Sequence, residues 1–293
     1  MNFPLSFLLL ALALAIALAW VPTLRIGHRQ LPPWTLAFAA ACVAGALASP
    51  RVLAPGALAA LAVLAALAWG GVAAVRWRCA ITVLAPLLAL TMSLHLLPGF
   101  HPALLFHDVR LTPDAAPFGL ALSFDKGAAG LLLLAAFCVR ATSWRQFASQ
   151  GPAIAVAALA TAAVSIGSAL AAGDVRLEPK WPEAAPAFLV ANLLFTCVAE
   201  EAFFRGLIQE RLMRLADARR QPAWRWIAIA VPTALFGLAH AGGGAMWMLV
   251  ATIAGLGYAA IYARTRTIEG AILVHFAVNA VHFLGFTYPR LAG

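Results

Sequence analysis

Three short stretches in the C-terminal third of the chain combine residue types that can do chemistry. The first is Glu200-Glu201-Ala202-Phe203-Phe204-Arg205. On a helix Glu201 and Arg205 stand four apart and can pair, whereas Glu200 points about 100° away from that pair. A carboxylate held in apolar surroundings has its pKa raised toward neutrality, which suits a general base. The bland alternative is two acids at a membrane boundary, both paired with the arginines that follow. The second stretch is Phe236-Gly237-Leu238-Ala239-His240, followed by Ala241 and three glycines, Gly242 to Gly244. The glycines break a helix and let backbone approach closely, so His240 is either a helix-end histidine or one facing a cavity where backbone unwinds. The third is His275-Phe276-Ala277-Val278-Asn279, with His282 three residues on. Four-residue spacing puts His275 and Asn279 on one helical face. Both side chains can donate hydrogen bonds, as an oxyanion site requires; both are also common polar glue between membrane helices.

The elements that must position these residues are membrane helices. Of 293 residues, 63% are hydrophobic and 11% charged, and a soluble domain of this size carries more surface charge. The net charge of +9 sits in short clusters between apolar runs, a pattern of membrane anchoring rather than of nucleic-acid binding. A span takes about 20 apolar residues. Candidate runs are Phe3–Val21, Trp34–Ala48, Val52–Val75, Cys79–Leu97, Gly127–Thr142, Pro152–Ala172, Pro186–Leu207, Trp226–Ala241, Ala245–Ala263 and Ile268–Phe286. The expected fold is all-α, a polytopic transmembrane bundle of about ten helices; the second, fifth and eighth runs are short, so eight or nine also fit. The first run lacks a charged leader and is followed by many like it, as a retained helix would be. Cys42, Cys79, Cys138 and Cys197 form no CxxC pair and read as small core hydrophobes.

Positive charge sets the expected sides. With the N-terminus outside, inner loops hold Arg25, Arg29, Arg76, Arg78, Arg140, Arg145, Arg211, Arg214, Arg219, Arg220, Arg225, Arg264 and Arg266, and outer loops hold Arg51, Arg110, Lys126, Arg176, Lys180 and Arg290. The excess inside puts both termini outside. Apart from His95, the first six spans contain almost no ionisable residue, whereas the last four carry the three motifs. Ionisable groups within spans are costly and commonly functional. The expected organisation is therefore a scaffold over 1–181 and an active module over 182–293. These span boundaries put Glu200 and His240 on the order of 10–20 Å apart in depth. In the ninth run, Ala251, Gly255 and Ala259 form a row of small residues where a neighbouring helix should pack closely.

Order and spacing of the motifs resemble the CPBP family of intramembrane endopeptidases, which includes CAAX prenyl proteases and bacteriocin-processing, immunity and lysostaphin-resistance-like proteins. Its pattern is EExxxR, then FxxxH, then HxxxN or HxxxB, matched by Glu200-Glu201 with Arg205, Phe236 with His240, and His275 with Asn279. The resemblance covers about residues 182–287. It implies that Glu200 and His240 activate water and that His275 and Asn279 stabilise the tetrahedral oxyanion, with Glu201, Arg205, Phe236 and His282 in support. It implies a peptide or protein substrate at the lipid bilayer, here in the inner membrane of a bacterium. The family is also grouped with metalloproteases, which makes Glu200, His240 and His275 candidate ligands for Zn²⁺ or another divalent metal, although the sequence has no HExxH pair. The metal-independent route needs no cofactor and is the one expected. The alternatives are a catalytically inactive scaffold or immunity protein, and a small-solute transporter; the latter often shares binding groups between two related halves, whereas these polar groups cluster in one. The oligomeric state is left open.

Overall fold

The computed structural model describes residues 3–26, 29–48, 55–73, 78–100 and 102–292. Ten helices follow the ten apolar runs: α1 Phe3–Leu18, α2 Pro33–Ala48, α3 Pro55–Ala73, α4 Arg78–Ser93, α5 Phe124–Phe137, α6 Trp144–Ala171, α7 Ala185–Arg219, α8 Pro222–Ala239, α9 Ala245–Thr265 and α10 Ile268–Gly285. Among the described residues, α6 to α10 are long and apolar enough to cross a membrane. The chain is an all-α integral membrane protein. Four short strands lie outside this expectation: β1 Leu24–Ile26 pairs antiparallel with β2 Arg29–Leu31, and β3 Ala103–Val109 pairs with β4 Phe118–Leu122. Arg51 and Arg76, used in the charge argument, lie outside the described residues. No cysteine among those described is in a disulfide, and Cys197 is buried.

The chain forms two compact units, one of residues 1–105, 120–137 and 194–203, the other of 106–119, 138–193 and 204–293. In the first, α1 packs on α2, α3 on α4, and α5 on α1, α3 and α4. In the second, α9 packs on α6, α8 and α10, and α10 also packs on α6. The start of α10 is fixed by Ile268 N–H donating to the Val139 carbonyl at 2.9 Å and by Glu269 accepting from Ala141 N–H at 2.9 Å. Its far end is clamped by the 174–180 segment, where Glu178 and Lys180 N–H donate to the Gly285 and Leu284 carbonyls at 2.8 and 2.7 Å. Partial burial there lowers the Lys180 ammonium below its ordinary pKa, with Glu178 opposing the shift.

Helix α7 departs most from its apolar run. The run ends at Leu207, yet the helix continues to Arg219 and is 35 residues long, about 50 Å at 1.5 Å per residue. The continuation is amphipathic, burying Met213 and Ala216, so hydropathy alone stops short of it. The extra turns also set the level at which α7 meets α8 within the second unit. Arg205 stands fourteen residues before the end of α7 at Arg219, and Phe236 fourteen after the start of α8 at Pro222. The two therefore meet at one level, with the Arg205 guanidinium carbon 4.8 Å from the Phe236 ring centroid. Within α7, Asn192–Cys197 and Ala202–Gln209 are π-helical and flank one α-helical turn, Val198–Glu201. Turns closed by i→i+5 bonds recur at functional sites, and they change the angular phase assumed for Glu200, Glu201 and Arg205 on an ideal α-helix.

The small-residue row on α9 is packed as expected. Ala251, Gly255 and Ala259 are buried, and a Cβ on Gly255 would lie 3.0 Å from Phe236 Cδ1 and 3.4 Å from an Arg205 guanidinium nitrogen. The neighbours of Gly255 are thus two motif residues. Overpacking of this kind costs about 1–3 kcal/mol. The Gly255→Leu variant is therefore expected to melt several degrees lower and to lose activity even at temperatures where it stays folded. A variant with full activity and a lowered melting temperature would show that Arg205 and Phe236 can move without consequence.

Candidate active site

In the first unit the Lys126 ammonium donates to Glu200 Oε1 at 2.6 Å, with the two side chains 24% and 16% exposed. The sequence places Lys126 in a loop, whereas α5 begins at Phe124, so Asp125 and Lys126 sit in its first turn. Hydropathy trims charged residues from helix ends, so the apolar run starts only at Gly127, three residues inside α5. Two glycines explain how α5 comes close enough. A Cβ on Gly130 would be 2.6 Å from Ala199 Cα, and one on Gly127 would be 2.8 Å from Phe195 Cδ1. Small residues at this contact let the helix backbones approach, which carries Lys126 to the carboxylate one residue past Ala199. Glu201 is fully buried. His95 is also engaged, its Nδ1 2.7 Å from Asp125 Oδ2 and its Nε2 3.4 Å from the Ser123 hydroxyl.

In the second unit Phe236 is the centre of an aromatic and cationic cluster. Its ring centroid lies 4.6 Å from that of His240, 5.7 Å from that of His275, 5.7 Å from that of Tyr258 and 5.2 Å from that of Phe204. The Tyr258 ring stacks on His275 at 4.5 Å with 14° between planes, and His275 is 3% exposed. Arg205 is fully buried. Its guanidinium lies within cation–π range of Phe204, Phe236 and Tyr258 and donates to the Gly255 carbonyl at 2.7 Å. Gly206 lets α7 approach the chain at Cys138, whose sulfur occupies the place a Cβ would take.

His240 terminates α8, and its Nδ1 is 2.8 Å from the Phe236 carbonyl oxygen. A carbonyl only accepts, so this contact assigns a proton to Nδ1. Asn279 Nδ2 donates to Asn192 Oδ1 at 3.3 Å. The sequence gives no site role to Tyr258, Asn192 or Lys126. A polar aromatic three residues past Gly255 in an apolar run, and an asparagine within the α7 run, are visible in hindsight as intramembrane polar groups; for Lys126 no sequence signal points to Glu200.

His282 is not brought to this cluster. It stands two turns beyond His275, with ring centroids 6.2 Å from Trp247 and 4.9 Å from Tyr288. It lines a separate cavity of about 20 Å³ with Ile166, Asp174 and Val250, room for about one water molecule. Among the described residues no three His, Cys, Asp or Glu side chains come together as a metal-binding group, so Glu200, His240 and His275 do not form a ligand set.

These features define an integral membrane protein in whose second unit Arg205, His240, Tyr258 and His275 meet around the buried Phe236. Residues 182–281 match the family model described as Type II CAAX prenyl endopeptidase Rce1-like. The match contains Glu200, Glu201, Arg205, Phe236, His240, His275 and Asn279, and ends one residue before His282. No curated protein and no solved structure matches the chain.

Proposed function

We propose that the chain is an intramembrane endopeptidase that hydrolyses a peptide bond of a membrane-associated peptide or protein. The observation that carries the reading is the pair of histidines, His240 and His275, held against one ring, Phe236, within the family-matched segment. In this reading Glu200 removes a proton from water as its oxygen attacks the scissile carbonyl carbon. His240, protonated on Nδ1, accepts a hydrogen bond from that water through Nε2. His275 and Asn279 donate to the developing oxyanion, and the proton returns to the leaving amine. Lys126 fixes the Glu200 carboxylate in one orientation, and Arg205 and Tyr258 fix the position of the histidine-bearing helices. The chain acts from a bacterial inner membrane with both termini outside. Its substrate is found by comparing membrane proteins retained by a Glu200→Gln variant with those retained by the wild type. A protein that accumulates intact on the variant and is cut by the wild type is the expected result; identical peptide and protein profiles would overturn the reading.

The donor geometry sets a second expectation. Because the candidate ligands do not assemble as a metal-binding group, purified active protein should hold well under one zinc per chain by elemental analysis. Treatment with a strong chelator followed by dialysis should leave the rate unchanged. Stoichiometric zinc whose removal and return switch hydrolysis off and on would refute the metal-independent route.

A further inference from the structure

Two cavities adjoin where α7 turns into α8. One, of about 320 Å³, is lined by Ala216, Asp217, Arg220, Gln221, Pro222 and Arg225. The other, of about 270 Å³, shares Pro222 and Arg225 and is otherwise lined by Met213, Trp226, Ile229 and Ala263. A charged chamber therefore lies against an apolar one. The acids at this end are already engaged. Asp217 is 2.9 Å from Arg266 and 3.4 Å from Arg225, and Glu210 is 2.8 Å from Arg214 and 3.1 Å from Arg266. Arg220, held at φ 54 beyond the end of α7, makes no ion pair among the described residues. The first turn of α8 opens at the same place, and its N-cap, Gln221, gives no side-chain hydrogen bond to the helix amides. Two arginines at one cavity, one of them without an ion pair among the described residues, call for an anion. The apolar neighbour calls for a hydrocarbon chain attached to it. Two tryptophans mark the level: Trp224 lies under Arg219 at 4.2 Å, and Trp226 is 73% exposed, as aromatic residues at a membrane–water interface commonly are.

We propose that this pair of cavities binds an anionic phospholipid, with the phosphate between Arg220 and Arg225 and an acyl chain along Met213, Trp226 and Ile229. Basic pockets beside membrane helices take anionic headgroups through such contacts. A free phosphate would use only the charged chamber, and a zwitterionic lipid would gain little from two arginines. The test uses full-length protein in a mild detergent and native mass spectrometry. It is titrated with phosphatidylglycerol, with phosphatidylcholine of the same chains, and with inorganic phosphate. Phosphatidylglycerol should be retained at least ten-fold more tightly than phosphatidylcholine, and phosphate should not be retained. The double variant Arg220→Gln/Arg225→Gln should weaken phosphatidylglycerol on the order of ten-fold or more, and Trp226→Ala should weaken it several-fold by removing the chain contact. Arg110→Gln/Arg290→Gln, in other loops, should change nothing. Equal retention of the two lipids, phosphate binding with the same arginine dependence, or unchanged lipid affinity in both site variants would each overturn the proposal. None of these readouts depends on hydrolysis.

Discussion

Glu200→Gln is expected to reduce peptide-bond hydrolysis by about 10⁴-fold, the upper end of what removal of a general base costs. The amide keeps the shape of the carboxylate and still offers an oxygen to Lys126, whose ammonium is 2.6 Å from Glu200 Oε1 in the native protein. What it cannot do is take a proton from water. The loss should therefore appear without a large change in melting temperature, and the variant should bind substrate and hold it, which is why it serves as the trap. Rates measured on purified protein, with the fold checked by thermal melting, decide the matter. A variant retaining a tenth of the native rate would assign the base elsewhere, with Glu201 the next carboxylate along the same turn.

Asn279→Ala should lower turnover by about 10²–10³-fold, the loss seen when one donor to an oxyanion is removed. The effect should fall on kcat, with KM little changed, because the donated hydrogen bond strengthens only as charge develops on the oxygen. The contact with Asn192 at 3.3 Å supplies an internal comparison. Asn192→Ala leaves the Asn279 amide in place and removes only its anchor, so it should cost less than Asn279→Ala and still act on kcat. Equal rates for native protein and a folded Asn279→Ala variant would remove this side chain from the reaction; a rise in KM with kcat intact would make it a substrate contact instead.

Much of the architecture was open to inspection in the residue order. The ten apolar runs correspond to ten helices, and the concentration of ionisable residues in the last four runs marked the segment that matches a protease family. Hydropathy works here because lipid forces every backbone polar group into an intrahelical bond. It fails at helix ends, where charge and burial coexist. That failure hid the Glu210–Arg219 continuation of α7 and the first turn of α5. The same blind spot made Lys126 look like a loop residue, although it pairs with the carboxylate of the first motif.

By itself the sequence determined that the chain lives in a membrane and that Gly255 faces a close neighbour, and it singled out Glu200, His240, His275 and Asn279 as candidates through their resemblance to a family pattern. The first two follow from composition and from spacing along one helix, where 3.6 residues per turn suffice to compute a face. Only the tertiary structure decided that Phe236 is the surface on which both histidines rest, that Tyr258 closes over His275, that Asn192 holds Asn279, and that His282 stands apart in its own small cavity. Apart from Phe236 and His240, four residues apart at the end of α8, these pairs join residues from different segments, some nearly ninety positions apart, as with Asn192 and Asn279. Their meeting depends on helix length, on the phase shift introduced by the π-helical turns of α7, and on where glycines permit contact. Periodicity within a single run carries none of that information.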